Sequence, residues 1–265
     1  MNIFMREMRT NLKSLLIWSV SMWLLILVGM VKYSGIAAAG NASIDLFNAM
    51  PEALKSIFGL SGVDITTVAG FYGMFFLYFM LLAGIHSGML GATIISKEER
   101  DKTADYIFAK PRTRAKIISG KLLALFANII VLNIVTCVAS ISSVAMYNQG
   151  KSLSAEITMM MIALFAFQLI FAAIGLLASA LVGTSKKATS LTTLVLLSTY
   201  ALSVAINIQS NLKSLRFLTP FRYFEGVDLM KGKALELNYL LLSGIIIVIM
   251  VLASYYLYEK RDLKV

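Results

Sequence analysis

The sequence predicts an all-α, polytopic membrane protein with six transmembrane helices and both termini in the cytoplasm. Three observations carry that reading. The 265 residues are 58% hydrophobic and only 14% charged, with a mean hydropathy of +0.80, whereas a soluble domain carries about a quarter charged residues. Six apolar runs are each long enough to cross about 30 Å of hydrocarbon at about 1.5 Å per residue. Lys and Arg fall unevenly on the two sides of those runs. The net charge of +10 could suggest nucleic acid. The basic residues lie between apolar spans and follow an orientation rule instead, so no nucleic-acid partner is expected.

The runs lie near 15–31, 69–95, 122–147, 157–182, 188–208 and 239–258, and residues 1–265 read as a single transmembrane domain. A short turn, Gly183 to Lys187, separates the fourth run from the fifth. With the N-terminus inside, the inner segments are 1–14, 96–121, 183–187 and 259–265. They hold 16 of the 24 Lys and Arg, while the 14 acidic residues split evenly. The positive-inside rule therefore places both termini and residues 96–121 in the cytoplasm. Basic residues, an apolar run and Ala37, Ala38 and Ala39 imitate a secretory signal peptide. The run is taken as the first span.

Three segments outside the spans are amphipathic. In residues 1–13, Met1, Phe4, Met5, Met8 and Leu12 fall on one helical face and Asn2, Arg6, Arg9 and Lys13 on the other. A helix lying flat on the anionic inner leaflet, with Arg6, Arg9 and Lys13 toward the headgroups, is expected. Pro51 to Phe58 reads as a short outer helix, with Pro in the first turn and Gly59 just past its end. The outer segment 209–238 holds Pro220, Phe221, Tyr223, Phe224, Gly226 and Gly232. It is expected to form two short helices dipping into the outer interface, with Arg216 and Arg222 reaching to headgroups.

The spans contain no Asp, Glu, Lys or Arg, and His86 is the one ionisable group of the His or acidic type within them. Transporters driven by protons or ions need intramembrane acids or bases to carry the coupling charge. Any energy source must therefore act from outside the bilayer. A lone His with no buried acid offers no Ser-His-Asp arrangement and no metal site, so neither catalytic nor metal-binding residues are expected. Cys137 stands alone in an apolar run and reads as a small packing residue. Gly150, Lys151 and Ser152 imitate the tail of a phosphate-binding loop, but Ala145 occupies the required glycine position. Gly84, Gly88 and Gly91 form one stripe of small residues, and Gly175 and Ser179 belong to another. Such stripes let helix backbones approach closely.

Residues 96–121 remain: a charged island with 8 of the 24 basic and 4 of the 14 acidic side chains. From Glu98 to Ala109 the pattern is amphipathic. Glu98, Glu99, Arg100, Asp101, Lys102 and Asp105 face water, and Ala104, Ile107 and Phe108 face the bundle. Pro111 then breaks the helix ahead of Arg112, Arg114, Lys116 and Lys121. Composition alone leaves two readings level. The island is a solvated loop with positive-inside lysines, or it is a lever that receives a push from a soluble partner.

The order of these residues resembles the type-2 ABC transporter permease family. The likeness covers the six-span layout and is sharpest from Ile95 to Leu122. Glu98, Glu99, Arg100, Asp101, Lys102 and Thr103 are similar to that family's Glu-rich coupling segment, with Lys102 where the family often has Gly. Lys110 to Arg114, with Gly120 and Lys121, resemble the turn and span entrance that follow it, and Tyr258 to Leu263 its basic C-terminal stop. The resemblance implies a permease without an ATPase site of its own. Two such permeases, identical or different, would pair with two copies of a cytoplasmic ATP-binding subunit holding ATP and Mg, and lipid would surround the pair. Glu98, Glu99, Arg100, Asp101, Lys102, Thr103, Asp105 and Tyr106 would dock into a groove on the ATPase, beside the flat N-terminal helix. No cofactor would bind the chain directly. A multi-pass location in a bacterial cytoplasmic membrane is expected. The implied work is outward movement of a hydrophobic or amphipathic solute, such as a peptide antibiotic, drug or lipid. The alternative is a non-transporting membrane scaffold or sensor partner.

Overall fold

The computed structural model describes residues 3–97, 114–148, 152–182 and 184–260. Among these residues every regular element is helical. Six helices are long and apolar enough to span a bilayer: α1 (Ile3–Ala39), α4 (Val68–Ile94), α5 (Arg114–Tyr147), α6 (Ser154–Val182), α7 (Ser185–Ile208) and α9 (Leu237–Lys260). Two short helices, α2 (Asn41–Asn48) and α3 (Glu52–Phe58), follow α1. Two 3-10 helices (Ser210–Leu218 and Pro220–Arg222) and α8 (Gly226–Met230) lie between α7 and α9.

Helices α4 and α6 form the centre of the bundle, and their sequences explain why. A lipid tail is as apolar as a leucine, so burial against a neighbour in the membrane gains little unless backbones approach closely. Gly84, Gly88 and Gly91 of α4 and Gly175 of α6 lie along one crossing. A Cβ at Gly91 would sit 2.2 Å from the Ala172 carbonyl oxygen, and one at Gly175 would sit 2.2 Å from that of Gly88. Gly84 faces Phe167 and Leu196, and Gly88 faces Thr192, so α7 packs on the same seam. Ser179 is fully buried one turn further along α6. At the opposite extreme, α9 leaves Leu241, Ile245, Val248, Ile249 and Leu252 exposed, which is the face a bilayer would cover.

Helix ends follow local chemistry. Thr67 caps α4, its hydroxyl oxygen accepting from the Gly70 backbone N–H at 3.1 Å. Pro51 precedes α3 and Gly59 ends it in the left-handed region at φ 71°, a conformation that suits glycine. Tyr33 near the end of α1 donates to the Thr66 carbonyl at 3.0 Å. Tyr200 of α7 donates to the Ile57 carbonyl of α3 at 2.5 Å. These two phenols tie the connection between α1 and α4 onto the bundle.

Two expectations are corrected. Residues 3–39 form one continuous helix, so the turns expected to form an element of their own run without a break into the first apolar run. Their inward face runs through Phe4, Glu7, Met8, Asn11 and Leu15, while Met5 and Leu12, assigned to the apolar face, are exposed. Packing against α5 sets this face, and Ile3 lies on the Gly120 backbone, 3.1 Å from where a Cβ would stand. The segment 209–238 holds two 3-10 helices and one short α-helix where two short helices were expected.

The α4–α6 crossing makes a direct prediction. Gly175→Val would press side-chain carbon onto the backbone of Gly88 and Ala92, which cannot yield as a flexible side chain does. A loss of roughly 3 kcal/mol is expected. Gly244→Ala in α9, with no atom within 4 Å, should be neutral or slightly stabilising. Thermal denaturation of both variants in detergent checks this, and equal melting temperatures would refute the tight crossing.

Candidate functional site

The segment singled out for coupling, Glu98, Glu99, Arg100, Asp101, Lys102, Thr103, Asp105 and Tyr106, lies outside the described residues. Its roots in the bundle are described, and they are built unlike a simple loop. After α4 ends at Ile94, Ile95, Ser96 and Lys97 stay buried.

Three polar links hold these residues, each to a different helix. The Lys97 ammonium donates to Glu7 Oε2 on α1. Ser96 and Ser185 at the start of α7 share a hydrogen bond of 2.8 Å. Because Ser96 also donates to the Ala92 carbonyl at 3.1 Å, Ser185 is the donor between the two hydroxyls. On α5, the ammonium of Lys121 donates to the Ile94 carbonyl at 2.7 Å, satisfying an acceptor that the end of a helix leaves open. Apolar packing surrounds the links. Ile94, Ile95, Ile118, Leu125 and Tyr258 form one buried group, and Ser119 meets the Tyr255 hydroxyl of α9 at 2.9 Å. The point where the charged segment leaves α4 is thus joined to α1, α5, α7 and α9.

The Glu7–Lys97 pair is the costly part. Glu7 is fully buried and the Lys97 side chain is 8% exposed. Taking two charges out of water costs several kcal/mol per ion, about what their attraction returns. Removing either partner alone strands the other charge. The Glu7 carboxylate uses one oxygen for Lys97, while Oε1 has no hydrogen-bond partner. Next to it on the same face, Met8 accepts through its sulfur from Asn128 Nδ2 at 3.2 Å, and that amide also donates to the Ala124 carbonyl at 2.7 Å. A polar layer therefore lies between α1 and α5 at this end. Of the basic residues expected at an interface, Arg9 and Lys13 are exposed and Arg6 is half-buried.

Sequence reasoning gave Glu7 no role and counted Lys97 only as one more inner-side cation. A signal was present. Glu7 is the one acid before Asp45, and it shares a helical face with Phe4, Met8 and Leu15.

His86 is buried in α4 beside the Trp18 ring of α1, with 5.4 Å between centroids. No cluster of His, Cys, Asp or Glu suited to a metal occurs among the described residues. Arg216 and Arg222, expected to reach headgroups, instead converge on Glu225. Arg216 lies 2.8 Å and Arg222 3.5 Å from its Oε1. Ion pairing near the bundle surface holds them more firmly than free snorkelling would.

Residues 1–263 match the family model described as ABC-2 family transporter protein. No curated protein matches the chain.

The buried pair predicts a distinctive mutational pattern. Glu7→Met or Lys97→Met alone should cost roughly 3–5 kcal/mol by leaving one buried charge uncompensated. The double variant Glu7→Met with Lys97→Met should regain most of that loss. A double-mutant cycle of thermal stability in detergent measures it, and additive losses would show that the two side chains act independently.

Proposed function

The chain belongs to the ABC-2 family of transporter proteins, and on that premise we propose that it is the permease of an ATP-driven exporter, powered through residues 98–113. It is a multi-pass membrane protein whose six apolar helices supply the spans. In the proposed assembly two permease subunits pair with two ATP-binding subunits in a bacterial cytoplasmic membrane. ATP and Mg sit on those partners, and the end of the bundle carrying Lys97 faces the cytoplasm.

One observation supports this reading above the others: the buried anchoring of Ser96, Lys97 and Lys121. A solvated loop needs no such roots. A lever does, because a push on residues 98–113 moves the bundle only if their attachment resists deformation. Rigid attachment to α1, α5 and α7 distributes a displacement at α4 over several spans at once. Close-packed helices answer such a displacement by moving as bodies and do not absorb it locally.

Glu98, Glu99, Arg100, Asp101, Lys102, Thr103, Asp105 and Tyr106 would make the contact with the ATPase. Closure of the ATPases on ATP would rock the permeases, and hydrolysis would reset them. The cargo proposed is a hydrophobic or amphipathic solute, in keeping with six apolar runs that hold no Asp, Glu, Lys or Arg.

The proposal is tested in a reconstituted complex. Glu99→Ala combined with Arg100→Ala should lower substrate- or permease-stimulated ATPase activity about tenfold, the loss of one or two charge-assisted contacts. The melting temperature of the permease should not change. Full stimulation in that variant would overturn the docking role of this segment.

A further inference from the structure

The end of the bundle opposite Lys97 holds a cavity of about 230 Å³. It lies between α4, α7, the Pro220–Arg222 turn and α8. One wall is apolar, with Met74, Phe76, Met80, Phe221 and Phe224. The other is polar, with Ser203, Asn207, Arg222, Glu225, Asp228 and Lys231. An apolar wall facing a few convergent polar groups is the general form of a small-molecule site.

Two cations, Arg222 and Lys231, and two acids, Glu225 and Asp228, line the cavity. Residues 216–233 carry four basic side chains, Arg216, Arg222, Lys231 and Lys233, and two acidic ones, Glu225 and Asp228. Both acids are already engaged. Glu225 serves Arg216 at 2.8 Å and Arg222 at 3.5 Å, and Asp228 pairs with Lys233 at 2.8 Å. Arg222 completes its contacts with a donation to Asn207 Oδ1 at 2.6 Å, a neutral acceptor, and its Nε is buried without a partner. Lys231 lines the cavity, exposed, and makes no ion pair among the described residues. Burial draws the Arg222 guanidinium below its ordinary pKa. Glu225 opposes that shift and Arg216 adds to it. One carboxylate is thus shared between two guanidiniums and the other is taken by Lys233, so Arg222 and Lys231 are the lining charges left least compensated.

We infer that this cavity binds the anionic headgroup of an amphiphile, a phosphate or carboxylate borne on an apolar chain. Arg222 and Lys231 hold the anion, and the wall of Phe76, Phe221 and Phe224 takes the first part of the chain. A cationic ligand would have to displace Arg216 or Lys233 from the acids they occupy. A neutral one would leave Lys231 without a counter-charge among the described residues. The volume suits a headgroup and its nearest carbons, and a whole lipid would leave its tails outside against the bundle. Only the movement of the bound amphiphile rests on the transporter reading. Binding does not, and it names the chemical class of cargo that such a transporter would accept at this end.

The test uses the full-length permease alone, in a neutral maltoside detergent without ATPase subunits. Thermal stabilisation is measured against phosphatidylglycerol, phosphatidylcholine and inorganic phosphate, since a ligand that binds the folded state raises its melting temperature. Phosphatidylglycerol should stabilise the protein, and phosphatidylcholine should not. Inorganic phosphate should act only at much higher concentration, because it lacks the chain. Equal effects of the two lipids would overturn the anionic site. Equal potency of inorganic phosphate and phosphatidylglycerol would overturn the amphiphile. Lys231→Gln, on the exposed rim, should weaken phosphatidylglycerol binding about tenfold, the loss of one charge-assisted contact. Glu225→Gln should strengthen it by freeing both arginines, a change of sign that damage to the fold cannot imitate. Unchanged binding in both variants would place the anion elsewhere and end the proposal. ATPase coupling is read at the other end of the bundle, so either reading can fail without the other.

Discussion

A carboxylate removed from water must find a cation, and Glu7 finds the one at the foot of the charged segment. This requirement bears on several helices at that end. It agrees with the rotation that packing against α5 gives α1, with Glu7 toward the end of α4 and Met5 and Leu12 outward. It holds Lys97 inside the bundle, although the residues after it are strongly hydrophilic. Beside it α1 packs against α5, where Asn128 and Met8 complete a polar layer. An apolar pair of similar volume could be equally stable. The ion pair adds register, since only one rotation of α1 satisfies it.

The middle of the bundle is specified differently. There, glycines on α4 and α6 remove side chains from the crossing until carbonyl and amide groups of the two helices nearly touch. Aromatic rings fill the space on either side of the seam. Phe167 lies 4.8 Å from both Phe171 and Phe221 between ring centroids, and Phe221 in turn lies 5.5 Å from Tyr200. Phe221 belongs to the turn before α8, so the core reaches out of the spans and fixes the element that lines the polar cavity. The two ends of the molecule are therefore organised by charge and its centre by shape.

The six spans were legible because hydropathy reports length and polarity directly, and those two properties decide whether a helix can cross a bilayer. The glycine stripe was legible as a pattern, though not its partner, because spacing reveals a face and not what lies against it. The extent of α1 was misread. Alternating basic and apolar residues in 1–13 suit a flat helix and an extended span equally, and only contact with α5 distinguishes them. Glu7 was overlooked, and Arg216 and Arg222 were misassigned, for a related reason. A charge beside a span is read as interfacial by default, whether its partner lies 90 residues away, as for Glu7, or close in sequence, as Glu225 does for both arginines. The residues 98–106 lie outside the described structure, so their legibility rests on pattern and on family membership.

Helix α1 runs for 37 residues without a break, about 55 Å at the rise of an α-helix. It is fastened near both extremities, by Glu7 to Lys97 at one and by Tyr33 to the Thr66 carbonyl at the other. Both fastenings reach the flanks of one helix, Thr66 just before α4 and Lys97 just after it. Two rails joined by a rung at either end cannot slip past each other, so a displacement of α4 carries α1 with it along its whole length.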